Sequence, residues 1–148
     1  MGPIGLETIA GVLVTVVAGK VTPLSCYVGL AGATGSAVEL AQPNGSLGCE
    51  LDLERIRIFV EHQSSPARGD DSPGFNHAGI KYLQPIGWNV TAYAGASIAL
   101  ASEQHHLDNP LIVIGAETNG DIRIYGEHIN SLSNPSDGHT VLGIKFIF

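Results

Sequence analysis

Six histidines in 148 residues, His62, His77, His105, His106, His128 and His139, are the first side chains to test for chemistry. Neutral imidazole is the commonest metal ligand. A cupin-type site would need an HxH pair, a glutamate a few residues on and a distant histidine. Here the pair is adjacent, and His105 and His106 on an extended strand point to opposite faces, so they cannot share one ion. Glu127-His128 and Gly138-His139 lie near strand ends, where His139 approaches His128 if the two strands pair. A cupin-like metal-dependent enzyme on His128, His139 and one earlier histidine is therefore the third function considered. The expectation is surface histidines, with no metal and no other cofactor.

Cys26 and Cys49 match neither a zinc spacing nor a CxxC redox motif. They read as small buried hydrophobes, and a single bridge between them would suit an oxidising compartment. No GxSxG elbow is present, and Gly29-Leu30-Ala31-Gly32-Ala33-Thr34-Gly35 lacks the lysine and helix signal of a phosphate cradle. Asp52, Glu54, Glu61, Asp70 and Asp71 are carboxylates that only a fold could bring together as a glycosidase pair. With no motif to raise it, the chain is read as not an enzyme. Trp88, Tyr93, Tyr82 and Tyr125 would form the stacking platform of a carbohydrate-binding, lectin-like β-sandwich, the alternative function, together with the 62–76 loop.

The elements that must position these residues are strands. Turn chemistry recurs every eight to fifteen residues between short apolar runs, the spacing of a sandwich or barrel. Candidate strands are Val12–Val17, Cys26–Ala31, Ala37–Leu40, Glu54–Glu61, Gly79–Leu83, Trp88–Leu100, Leu111–Glu117, Ile122–Glu127 and Thr140–Phe148. The segment 29–48 reads as a meander of turns, and 96–107 alone has helix-forming composition. The expected fold is all-β with eight or nine strands in one domain over 1–148: an antiparallel β-sandwich, jelly-roll-like, with a closed β-barrel as the alternative. No internal repeat is read.

Asn119-Gly120 predicts a type I′ hairpin between Leu111–Glu117 and Ile122–Glu127, with Ile114 opposite Tyr125. One face then carries Ile112, Ile114, Ala116 and Tyr125, the other Leu111, Val113, Ile122 and Ile124. Both faces are apolar, which requires a second layer or a second subunit. In Glu54–Glu61, Ile56, Ile58 and Val60 alternate with Arg55, Arg57, Phe59 and Glu61, which reads as an inward apolar face and an outward polar one.

Composition sets the function classes. The chain is 44% hydrophobic and 14% charged with a net charge of −7, too little charge to cover a solitary soluble domain and none of the basic patches that nucleic acid or anionic lipid would need. Ile9–Gly19 is too short for a spanning helix, and no basic segment precedes it as in a secretory signal. No membrane span and no direct nucleic-acid contact are expected. The reading is a structural protein of a large symmetric assembly: a virus or phage capsid coat, cement or decoration subunit on the outer surface of the virion. Its partners would be copies of itself, as a homo-oligomer, and a major shell protein. The candidate interface is Val113, Ile124, Phe146 and Phe148, with Arg68 and Asp70 of an integrin-type tripeptide in the 62–76 loop reaching a receptor or neighbour.

Overall fold

The computed structural model describes residues 24–35, 44–64, 75–100, 109–135 and 138–148. Its strands are β1 (Leu24–Gly35), β2 (Asn44–Leu53), β3 (Ile56–Ser64), β4 (Phe75–Gly87), β5 (Val90–Ala99), β6 (Leu111–Thr118), β7 (Ile122–Ser131) and β8 (Gly138–Ile147). Each pairs antiparallel with the next, and β8 returns to β1 to close the barrel. Tyr27 faces Ile147 across the closing seam, and Cys26 and Phe148 exchange backbone hydrogen bonds at its end.

The jelly-roll-like sandwich is therefore corrected to a single sheet that closes on itself, the architecture held second. Nearest-neighbour pairing all round leaves no crossover to divide the strands into two sheets and no open edge. The 29–48 segment is not a meander of turns: it contains the end of β1 and the start of β2, the strand sequence reading missed. β2 opens with Asn44-Gly45-Ser46 and carries a second glycine at 48, which hides the strand behind turn-like composition. Val12–Val17, Ala37–Leu40, His105, His106, Arg68 and Asp70 lie outside the described residues.

The 118–122 hairpin forms with a different register. Ile114 faces His128 and Glu117 faces Tyr125, three residues from the expected pairing. An odd shift moves a strand's side chains to the opposite face. Leu111, Val113 and Tyr125 consequently share the inner face, while Ile112, Ile114, Ile122 and Ile124 share the outer one. Of Asn119 and Gly120, only Gly120 has positive φ. Two successive left-handed residues, the requirement of a type I′ turn, occur instead at Trp88 and Asn89, with φ of 52° and 60°, between β4 and β5.

The barrel ends differ. At one end, residues 54–55, 88–89 and 119–121 make short turns beside the start of β1 and the end of β8. At the other, the strands are joined by the longer segments 36–43, 65–74, 100–110 and 132–137.

Candidate functional site: the barrel interior

An eight-stranded barrel has an interior just wide enough for side chains to fill. Alternation sends Arg57, Phe59, Glu61 and Gln63 of β3 inward and Ile56, Ile58 and Val60 outward, the reverse of the face assignment made from sequence. The same inversion recurs around the barrel. Glu50, Arg57, Glu61, Lys81, Glu117, Glu127 and Lys145 are all buried. Val28, Leu30, Leu47, Ile80, Ile98, Ile114, Ile124, Leu142 and Phe146 are all exposed.

Near the short-turn end the interior holds a set of ion pairs. Arg57 donates from Nε and Nη2 to Asp52 at 2.7 and 3.0 Å and from Nη1 to Glu117 at 2.6 Å, with Glu50 at 3.4 Å. Arg123 hydrogen-bonds Glu50 and lies 3.2 Å from Glu117. Arg57, Asp52, Glu117 and Arg123 line a cleft of about 270 Å³ with Leu83 and Thr91. Arg57 spans three carboxylates and Arg123 two, the charge-assisted geometry that the planar guanidinium fork favours.

At mid-height, Lys81 Nζ is 2.9 Å from Glu127 and 4.4 Å from the ring centroids of both Phe59 and Tyr93. Lys145 Nζ is 3.7 Å from Glu61 and stands 4.5 and 4.3 Å from the rings of Tyr27 and Tyr125. Tyr93 donates to Glu127 at 2.9 Å, and Tyr27 and Gln63 both donate to Glu61. Aromatic faces and a carboxylate together replace the water each ammonium loses on burial. Inward glycines make room for the rings: a Cβ at Gly48 would lie 2.5 Å from Tyr27 Oη, and one at Gly115 would lie 2.6 Å from the Tyr93 ring. These are directly opposed cross-strand partners.

Ser97, His77 and Glu61 form a hydrogen-bonded line, with 3.0 Å from Ser97 Oγ to His77 Nδ1 and 3.2 Å from His77 Nε2 to Glu61. In an open site that order of groups would suit nucleophilic chemistry. Here all three are buried, and Glu61 also receives Tyr27 and Gln63. Toward the long-connection end, His139 Nε2 lies 3.3 Å from Gln63 Oε1, and Leu111, Val113 and Ile129 pack with Tyr93 and Ala99.

His139 is inside, whereas His128 is on the outer face, bonded to Thr140 at 2.9 Å. Among the described residues no three His, Cys, Asp or Glu side chains converge to hold a metal ion. Cys26 and Cys49, opposed in register, form a disulfide. Of the proposed interface, Val113 is inside the barrel, and Ile124, Phe146 and Phe148 are exposed on its outer surface. Of the aromatic platform, Trp88 is 98% exposed at a turn tip and Tyr82 is exposed, while Tyr93 and Tyr125 are interior. Sequence reading missed Lys81, Glu117 and Lys145 altogether, although Gly-Ile-Lys occurs identically at 79–81 and 143–145.

No family model matches the chain, and no curated protein matches it. Among solved structures it is similar to a chain described under "De novo design of transmembrane beta-barrels", with a TM-score of 0.59 and 14% identity over 84% of this chain and 94% of that one. It is also similar to Neisserial surface protein A, with a TM-score of 0.52 and 11% identity over 84% of this chain and 94% of that one. The fold is a closed, eight-stranded antiparallel β-barrel, and it is in this architecture that the chain resembles both.

This overturns the capsid reading and what followed from it: the coat, cement or decoration role, the virion surface, and a shell protein as partner. The low charge that suggested a protein interface has another cause. Four of the seven Lys and Arg residues, Arg57, Lys81, Arg123 and Lys145, lie inside the barrel, leaving the outer wall apolar. The expectation of no membrane span rested on helices. No helix among the described residues is long and apolar enough to cross a membrane, which says nothing about crossing by strands.

Proposed function

We propose that this chain is an integral membrane β-barrel, a filled scaffold that holds its long connections on one side of a bilayer and is neither an enzyme nor a solute pore. The observation that carries the reading is the inverted distribution of polarity. In a soluble domain buried charges are rare and large exposed apolar patches are confined to interaction sites. Here buried strand positions carry carboxylates, lysines and arginines, while Ile56, Ile58, Val60, Ile80, Ile124, Leu142, Ile144 and Phe146 face out. Hydrocarbon is the solvent that stabilises such a wall, and a closed barrel is the strand structure that leaves no unpaired backbone in it.

Other features support the same reading. Outward polar pairs bound the apolar wall toward the long connections: His62 with Asn76 at 2.7 Å and His128 with Thr140 at 2.9 Å. Trp88 and Phe148 sit exposed at the opposite rim, where aromatic residues favour the membrane interface. Short turns at one end and longer connections at the other match barrels of this class. The disulfide suits an oxidising compartment. The interior ion pairs and rings fill the lumen, which supports a structural role over conduction.

Refolding into dilauroylphosphatidylcholine vesicles tests the proposal. The expected result is a species that floats with the vesicles, survives an alkaline wash, migrates differently on gels before and after boiling, and gives no steady conductance in a planar bilayer. A protein that is monodisperse in detergent-free buffer and stays behind when vesicles float would overturn membrane insertion, and stable unitary currents would overturn the filled barrel.

A further inference from the structure

The interior contacts repeat when the first four strands are exchanged for the last four. β3 reads IRIFVEHQS and β7 reads IRIYGEHINS, so five of the first seven positions are identical. Gly79-Ile80-Lys81 of β4 recurs as Gly143-Ile144-Lys145 of β8, Gly48-Cys49-Glu50 of β2 as Gly115-Ala116-Glu117 of β6, and Tyr27-Val28-Gly29 of β1 as Tyr93-Ala94-Gly95 of β5.

The hydrogen-bond register repeats as well. Tyr27 opposes Gly48 as Tyr93 opposes Gly115, and Glu50 opposes Phe59 as Glu117 opposes Tyr125. Phe59 opposes Gly79 as Tyr125 opposes Gly143. Leu83 opposes Tyr93 at the β4–β5 seam as Ile147 opposes Tyr27 at the β8–β1 closure. A chance recurrence of short motifs would not preserve every pairing, because a slip of one residue anywhere breaks the correspondence.

The charged contacts between the halves are reciprocal. Arg57 reaches Glu117, and its counterpart Arg123 reaches Glu50. Lys81 reaches Glu127 and lies over Phe59 and Tyr93, and Lys145 reaches Glu61 and lies over Tyr125 and Tyr27. Residue i of one half meets j of the other, and j meets i, which defines an isologous two-fold interface.

We infer that this chain is a tandem duplication of one four-stranded unit, whose two copies close the barrel through the self-complementary contacts of a two-fold dimer. The partner that each half fits is a second copy of that half. The copies have diverged toward the long-connection end, where Asn44, Ser46 and Gln63 stand in register positions corresponding to Leu111, Val113 and Ile129. The inference does not rest on membrane insertion, since the register and contacts are internal.

Two measurements on the full-length chain in detergent micelles test it. Double-mutant cycles on Arg57→Ala with Glu117→Ala and on Arg123→Ala with Glu50→Ala should each show coupling, at least about fivefold in the unfolding equilibrium constant, and agree within about threefold. Coupling in one cycle with none in the other would overturn functional equivalence of the halves. If the single variants do not fold, the strand cores are exchanged by the fourfold variant Phe59→Tyr, Val60→Gly, Tyr125→Phe and Gly126→Val. That chain should fold to the parent's far-ultraviolet circular dichroism with an unchanged denaturation midpoint, and failure to fold would overturn the duplication.

Discussion

Replacing Ile144 with arginine separates a lipid-facing wall from a water-facing one by the size of the effect. Ile144 is on the outer face of β8, in a series that runs Phe148, Phe146, Ile144, Leu142, Thr140 from the short-turn end. With a rise of about 3.4 Å per residue and a tilt of about 40°, each outward step climbs about 5 Å along the barrel axis. Ile144 is thus about 10 Å from both Phe148 and Thr140, at the middle of the apolar wall. An arginine near the bilayer midplane costs about 2–4 kcal/mol, or roughly a hundredfold in the unfolding equilibrium constant, falling to about 0–1 kcal/mol near the interfaces. At an exposed position in water the same change stays within about 0.5 kcal/mol. Urea titration of Phe148→Arg, Ile144→Arg and Thr140→Arg in vesicles, followed by Trp88 fluorescence and gel mobility, should give a profile that peaks at residue 144. A flat profile, or an Ile144→Arg variant as stable as the parent, would refute the assignment of this face to lipid.

Three further outcomes are expected. Lys81→Met strands the buried Glu127 carboxylate and should destabilise by about 3–5 kcal/mol, whereas Lys81→Met with Glu127→Gln should recover most of that in the same titration. Gly115→Ala would place a methyl 2.5 Å from the Gly126 carbonyl oxygen, which cannot swing away, while Gly32→Ala meets nothing within 4 Å. The first should lose about 1–3 kcal/mol as an overpacked site and the second should be silent, checked by their denaturation midpoints. The native chain should resist maleimide labelling in denaturant until reductant is added, because Cys26 and Cys49 are bridged, and mass spectrometry reads the difference.

Most of the strands were legible from punctuation and alternation: β3, β6, β7 and β8 all begin or end near their expected residues. What sequence reading inverted was which face points inward. The pattern in β3 is a clean alternation, but alternation states only that Ile56, Ile58 and Val60 lie opposite Arg57, Phe59 and Glu61, and which set faces in depends on what surrounds the barrel. The assumption of water assigned both apolar faces of the 111–127 hairpin to protein contacts. Register was the second obstacle, since Asn119-Gly120 carries a strong turn signal while the left-handed pair sits at Trp88-Asn89. The interior site was hidden because its members come from strands distant in sequence, such as Lys81 and Glu127 or Arg57 and Glu117. The repeated Gly-Ile-Lys and Ile-Arg-Ile segments were visible signs of it, and their meaning emerged only once the register aligned them.

The most direct test of the central claim places a fluorophore on the wall itself. In a Trp88→Phe background, Ile144→Trp is reconstituted in vesicles whose lipids are brominated at defined chain depths. Quenching should be strongest with bromines near the acyl-chain ends and slight with aqueous iodide. Efficient iodide quenching with no response to brominated lipid would place residue 144 in water and contradict a lipid-facing barrel.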